Sequence, residues 1–281
     1  MSDAILTVLE WINNITVELT GNSNALTGAF GSYLDRVYNY ADTVMHSVCM
    51  PVAYVILALF FVMELYKASV RIDGSGGGTP MGAELVFRVM FKMVVCKMVV
   101  DNTPKIMKAI FDVSAELSQK INGINSGESI DGGMKLEQAK NLVSDIGFIP
   151  GIPVLLLCFI VFLITLFAVA FSNVIIITRF IELYIYLAIS PIPIATIPNE
   201  ELSQIGKNFF KSFAAVCIQG TLIYLVLTFY PMIFNQAFKD AATTENSNIY
   251  MLLLGTLCYS VVLILAVFST GKWAKSICGA M

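Results

Sequence analysis

Between Phe148 and Thr178 the chain runs through 31 residues without one charged side chain. As a helix this stretch is roughly 46 Å long, against about 30 Å for the hydrocarbon core of a bilayer. In lipid every backbone polar group must be satisfied within the chain, which an α-helix does. The rest of the composition agrees. The chain has 281 residues, of which 57% are hydrophobic and only 13% charged, where soluble domains carry about a quarter charged; its mean hydropathy is +0.77. The expected class is an all-α polytopic membrane protein in the cell membrane. A net charge of −3 from seventeen basic and twenty acidic groups, with no basic cluster, excludes a soluble nucleic-acid-binding surface.

Five spans follow from hydropathy. Val44 to Met63 lacks Asp, Glu, Lys and Arg, is closed by Glu64, and carries Pro51 in its first third. Leu85 to Val100 is the second, Phe148 onward the third, and Phe209 to Phe234 and Tyr250 to Phe268 the last two. The third continues through Arg179 and Glu182 to Ala188, either as one long helix or as a hairpin turning at Ser172-Asn173, which would make six spans. With the N-terminus outside, Lys67/Arg71, Arg179/Lys207/Lys211 and Lys272/Lys275 all fall inside, as the positive-inside trend prefers. Met1 to Leu9 carries Asp3 and has neither a basic start nor a small-residue cleavage site, so insertion is expected to use these internal spans.

The remaining segments set the organisation. Residues 1–43 read as amphipathic N-terminal helices: Ile5, Val8, Leu9, Ile12, Ile15 and Leu19 share one side, which would face the membrane interface, a partner helix or the protein's own bundle. Residues 44–101 hold the first two spans around a glycine-rich linker at 72–83, where Gly74, Gly76, Gly77 and Gly78 suit neither helix nor strand. Residues 102–147 read as an extramembrane helical subdomain, opened by Thr103 as N-cap and Pro104 at the first helical position. Residues 148–281 form the C-terminal membrane region, interrupted at 190–199 by Pro191, Pro193 and Pro198, a spacing no regular helix survives.

Two segments carry chemistry beyond anchoring. In the second span Glu84, Arg88 and Lys92 stand at i, i+4, i+8 on one face, while Lys97 lies about 140° round from Lys92 and meets Asp101 at i+4. A centred lysine costs about 2.5–3.5 kcal/mol on insertion scales, so this face either lines a hydrated path or an oligomer centre, or the helix lies flat with snorkelling amines. Arg179 and Glu182, at i, i+3, either pair within their helix or join that path beside the proline break. Six cysteines scattered singly and one histidine give no metal or disulfide framework, and no catalytic constellation is recognisable. No cofactor and no enzyme activity are expected.

Two blocks, PVAYVILALFFVMELYKASVRIDGSGGGTPMGAELVFRVMFKMVVCKMVVDNTPKIMKAIF from Pro51 and RFIELYIYLAISPIPIATIPNEELSQIGKNFFKSFAAVCIQG from Arg179, resemble the TrbL-like conjugal transfer proteins of Gram-positive conjugative elements. The resemblance implies a polytopic subunit at the base of a type IV secretion machine that passes relaxase-bound single-stranded DNA or effector proteins. It also implies a homo-oligomeric ring, other secretion-system membrane subunits and separate ATPases as partners. In such a ring Arg88, Lys92 and Lys97 would attract phosphate without reading sequence. A secondary transporter with its site at the proline break, or a non-conducting scaffold, are the other two readings; the absence of an inverted repeat speaks against the transporter.

Overall fold

The structure, a computed structural model, describes residues 2–22, 26, 28, 30–74, 81–125, 148–199, 201–243 and 249–280, and among them every regular element is helical. In chain order these are α1 (Ser2–Asn22), α2 (Asp35–Val44), a π-turn (Met45–Cys49), α3 (Met50–Gly74), α4 (Met81–Asp101), α5 (Thr103–Asn125), α6 (Phe148–Ile189), α7 (Pro191–Ile194), α8 (Ser203–Thr243) and α9 (Ile249–Cys278).

Of the two alternatives for the charge-free run, the single helix is the one observed: α6 has 42 residues, about 63 Å and twice the hydrocarbon thickness. At the candidate turn, the Ser172 hydroxyl donates to the carbonyl of Ala168 at 2.9 Å, so the serine is absorbed into the ladder. Among the described residues four helical stretches are long and apolar enough to cross a membrane: Asp35–Val70, Gly151–Ile189, Ser203–Ile233 and Ile249–Cys278. The chain is therefore a multi-pass membrane protein. The fifth expected span, α4, is a helix of 21 residues that does not meet the same condition, because Glu84, Arg88, Lys92, Lys97 and Asp101 all fall within it.

Pro51 leaves α2 and α3 in line but changes the ladder between them. Its missing N–H withdraws a donor from the carbonyl one turn back, and just upstream the ladder widens into the π-turn, where the N–H of Met50 reaches the carbonyl of Met45. Side chains cover carbonyls there: Thr43 bonds that of Asn39 at 2.8 Å, His46 that of Asp42 at 2.9 Å and Ser47 that of Thr43 at 2.6 Å. A second interruption separates α4 from α5 by Asn102 alone. Thr103 is not the N-cap its position suggests. Its hydroxyl turns back to the carbonyl of Val99 at 3.1 Å and Asn102 Nδ2 to that of Met98 at 2.8 Å, because α5 follows too closely for a separate cap and Pro104 leaves carbonyls of the preceding turn to be satisfied.

The chain divides into two compact units. The first comprises residues 1–28, 114–179 and 218–274. Its α1 turns Ile5, Leu9 and Ile12 inward and sets Trp11 against Phe162 of α6 with ring centroids 5.7 Å apart, so α1 covers the protein's own bundle. Buried hydroxyls join its helices: Ser114 and Ser118 of α5 meet Thr221 of α8 at 3.1 and 3.2 Å, and Thr165 of α6 meets Ser260 of α9 at 2.9 Å. Half of α5 is thus tied to a membrane helix through serines, with Glu116 and Lys120 on its exposed side. The rest of the subdomain expected at 102–147, including its polar helix at 134–146, lies outside the described residues.

The second unit comprises residues 29–113, 180–217 and 275–281. Its core is aromatic: Phe30 packs on Phe111 at 4.6 Å and on Tyr184 at 5.7 Å, and Tyr33 stacks on Phe180 at 4.7 Å. Gly31 enters this cluster with φ of 92° and its α-carbon against the ring of Tyr38, a conformation and a closeness that together require glycine.

Candidate functional site: three helix breaks beside a cationic helix

Within the second unit, three interruptions of regular helix meet. The first is the π-turn with Pro51, the second the α4–α5 junction before Pro104, and the third the proline-rich segment 190–199. That third segment is less disordered in its geometry than three prolines predict, since Pro191 opens one helical turn, α7, where its missing N–H would have had no partner anyway. Pro191 and Pro198 are buried and Pro193 is partly so. Asn199 ends the break as a cap: its side-chain oxygen accepts from the N–H groups of Glu201 at 2.9 Å and Leu202 at 3.1 Å.

The breaks are held together by small apolar residues. Ala53 of α3, Val100 of α4, and Ile194 and Ala195 of the proline segment form one buried cluster, with Ile56, Val99, Ile197 and Phe210 around it. Ser190 places its hydroxyl 3.7 Å from the sulfur of Met45 in the π-turn. Gly206 on the first turns of α8 lets the break settle closely, since a methyl group there would stand 2.8 Å from the carbonyl oxygen of Pro193 and 2.5 Å from Ile197 Cγ1. Lys67 of α3 reaches across to Glu201 at 3.1 Å and lies 3.8 Å from Glu64. Irregular backbone at membrane depth survives only where it is buried in protein or lines a water-filled cavity, and here much of it is buried.

The charges of α4 border this cluster. Arg88 pairs with Glu84 at 3.2 Å and Lys97 with Asp101 at 3.4 Å, with the two basic side chains 75% and 64% exposed. Asp101 is also held by the hydroxyl of Tyr54 on α3, which donates to it at 2.7 Å. Lys92 is half-buried, and among the described residues no carboxylate pairs with it. Between the pairs the exposed surface of α4 is apolar, a ridge of Phe87, Phe91, Val94 and Met98. Beside it an open groove of about 340 Å³ runs along α3 and α4, lined by Tyr54, Leu57, Phe61, Met90, Met93 and Lys97 among others.

The residues singled out from sequence are therefore distributed unequally. The α4 cations and the proline segment belong to the same unit, where α4 touches that segment through Val100 and Ile194. Glu182, partly exposed, is in that unit too. Arg179 belongs to the other unit and is 2% exposed, so it has no surface from which to line a path in this state. Gly74 closes α3; Gly76, Gly77 and Gly78 of the expected linker lie outside the described residues. Sequence reasoning passed over Tyr54, Gly206 and Gly220. Tyrosine inside an apolar run carries no signal that its hydroxyl has a carboxylate partner 47 residues away; a glycine inside an apolar helix does signal close packing, and that signal was there to be read.

Comparison with known proteins agrees with the resemblance. Two family models, each described as TrbL/VirB6 plasmid conjugal transfer like protein, match residues 16–191 and 136–279. A search of curated proteins finds no match. The chain belongs to the TrbL/VirB6 plasmid conjugal transfer-like family, and is a membrane subunit of a conjugal transfer system.

Proposed function

We propose that this subunit contributes α4 to the wall of the translocation path for relaxase-bound single-stranded DNA in a conjugative type IV secretion system. The observation that carries the reading is the state of the α4 charges: a helix too charged to be an ordinary span presents Arg88 and Lys97 to its surroundings while its other face packs on the proline break. Lipid is a costly environment for the Arg88 and Lys97 side chains, and a hydrated path is not. The pairing with Glu84 and Asp101 sharpens the electrostatics. Three cations less two carboxylates leave one net positive charge on the helix, and it is Lys92 that no described carboxylate neutralises. The lining is mildly attractive to phosphate, which suits a strand that must leave as well as enter. A ring of copies, neighbouring membrane subunits and separate ATPases would complete the machine, as the resemblance implies.

Neutral substitutions at the three cations test this. With chain levels in the membrane held equal, Lys92→Gln is expected to lower DNA transfer because it removes the cation that no described carboxylate pairs with, and Arg88→Gln and Lys97→Gln are expected to lower it too, because each leaves Glu84 or Asp101 unpaired to repel phosphate. Unchanged transfer in all three variants would remove α4 from the path. Reconstituted alone in liposomes, the chain should neither conduct nor transport small solutes; uptake by the isolated protein would favour a secondary transporter.

A further inference from the structure

Arg179 ends the longest uncharged run in the sequence and is buried to the same degree as the apolar core around it. An ionisable residue buried in a membrane-crossing helix normally marks a charged path. Here the surroundings point elsewhere. The side chain lies on Gly220 of α8, within the same unit, so closely that a methyl group added at Gly220 would fall on the guanidinium carbon and on both terminal nitrogens at once. Gly220 is followed by Thr221, whose hydroxyl accepts from Ser118 and donates to the carbonyl of Ser114, both of α5. The guanidinium seat and the hydroxyl junction therefore occupy consecutive residues of one helix, and α5, α6 and α8 all meet there.

We infer that Arg179 is a positioning residue, a planar peg seated on the bare backbone of Gly220 that fixes α6 against α8, and that it is not part of the translocation path. This goes beyond the proposed role of α4 and does not depend on it. The fit uses properties that only these two residue types combine. Glycine alone exposes enough helix backbone for a flat group to rest on it, and the guanidinium is flat, permanently charged and rich in donors for the carbonyl and hydroxyl groups of such a layer. Lysine would bring the same charge without the flat face.

A suppressor experiment decides between peg and path. Gly220→Ala is expected to lower the membrane level of the chain, and with it transfer, by roughly tenfold, the scale of an overpacked core. Combining it with Arg179→Met, which withdraws the group that the new methyl strikes, should restore the level to within a few-fold of Arg179→Met alone. Arg179→Lys should fall below the unsubstituted chain in protein level and melting temperature, since lysine lacks the flat face that rests on Gly220. If Gly220→Ala is tolerated, or if Arg179→Met fails to relieve it, the seat is refuted. If Arg179→Lys keeps full transfer while Arg179→Met loses it at equal protein level, Arg179 acts by charge and belongs to the path after all.

Discussion

In the unit built from residues 1–28, 114–179 and 218–274, the polar groups between helices are mostly neutral and matched hydroxyl to hydroxyl, as at Ser114/Thr221 and Thr165/Ser260, with Arg179 folded away over Gly220. In the unit built from residues 29–113, 180–217 and 275–281, charged groups sit outside, and the interior is aromatic rings and interrupted helix ends. The contrast separates two uses of polarity in one membrane chain. Buried hydroxyls hold helices in register; exposed ion pairs beside a packed proline break keep charge at the surface. Function is accordingly expected to concentrate in the second unit and architecture in the first.

The contrast can be broken most severely at Phe111, which is buried at the centre of the aromatic core. Phe111→Ala should cost about 3–5 kcal/mol, read as a large fall in melting temperature in detergent; a loss under 1 kcal/mol would mean that the rings do not carry this unit. Next in size is a pair of glycines. Gly206→Ala meets a carbonyl oxygen that cannot rotate aside and should cost about 1–3 kcal/mol. Gly255→Ala in the other unit meets only Tyr259 at 4.0 Å and should be neutral or stabilising by up to about 1 kcal/mol. Equal effects at the two positions would deny the break its close seat.

The hydroxyl junctions are expected to be worth less. When two hydroxyls meet at 2.9 Å and each is also within reach of a carbonyl one turn back, one proton bridges the pair and the other closes onto a carbonyl. Thr165→Val removes the bridge but leaves Ser260 its carbonyl, so the cost should be near the ~0.6 kcal/mol average for interhelical hydrogen bonds in membranes. The smallest effect lies on the water-facing side of α5. A hydrogen bond from Lys120 at 2.8 Å, helped by its charge, holds the Glu116 carboxyl below its ordinary range. A depressed carboxylate stabilises the fold above its unfolded pKa and loses that contribution as pH falls through the folded value. Lys120→Ala should therefore return Glu116 to ordinary titration, visible by carboxyl spectroscopy, with no measurable change in melting temperature, since both groups are fully exposed.

How legible all this was follows from what kind of interaction each feature uses. The 42-residue α6 and the intrahelical pairs Arg88/Glu84 and Lys97/Asp101 depend on spacing along the chain, and the sequence shows spacing directly. The π-turn before Pro51 was visible only as a proline in an apolar run, because the response of the ladder depends on which side chains are free to cover carbonyls. Thr103 was misread for a related reason: a capping residue and a back-bonding residue have the same composition, and the single residue separating α4 from α5 decided between them. The two seats, Gly206 under Pro193 and Gly220 under Arg179, join positions 13 and 41 residues apart. Nothing local names the partner of a glycine, although its presence in an apolar helix says that one exists.

The central claim, that the cations of α4 meet the substrate while the buried core does not, is most directly tested by placing a photo-reactive amino acid in turn at Arg88, Lys92, Lys97 and the fully buried Phe213, then irradiating during mating. The account predicts adducts with transferred DNA at the three α4 positions and none at Phe213. Absence of adducts throughout α4 in a chain that still supports transfer, or labelling at Phe213 equal to that on α4, would contradict it.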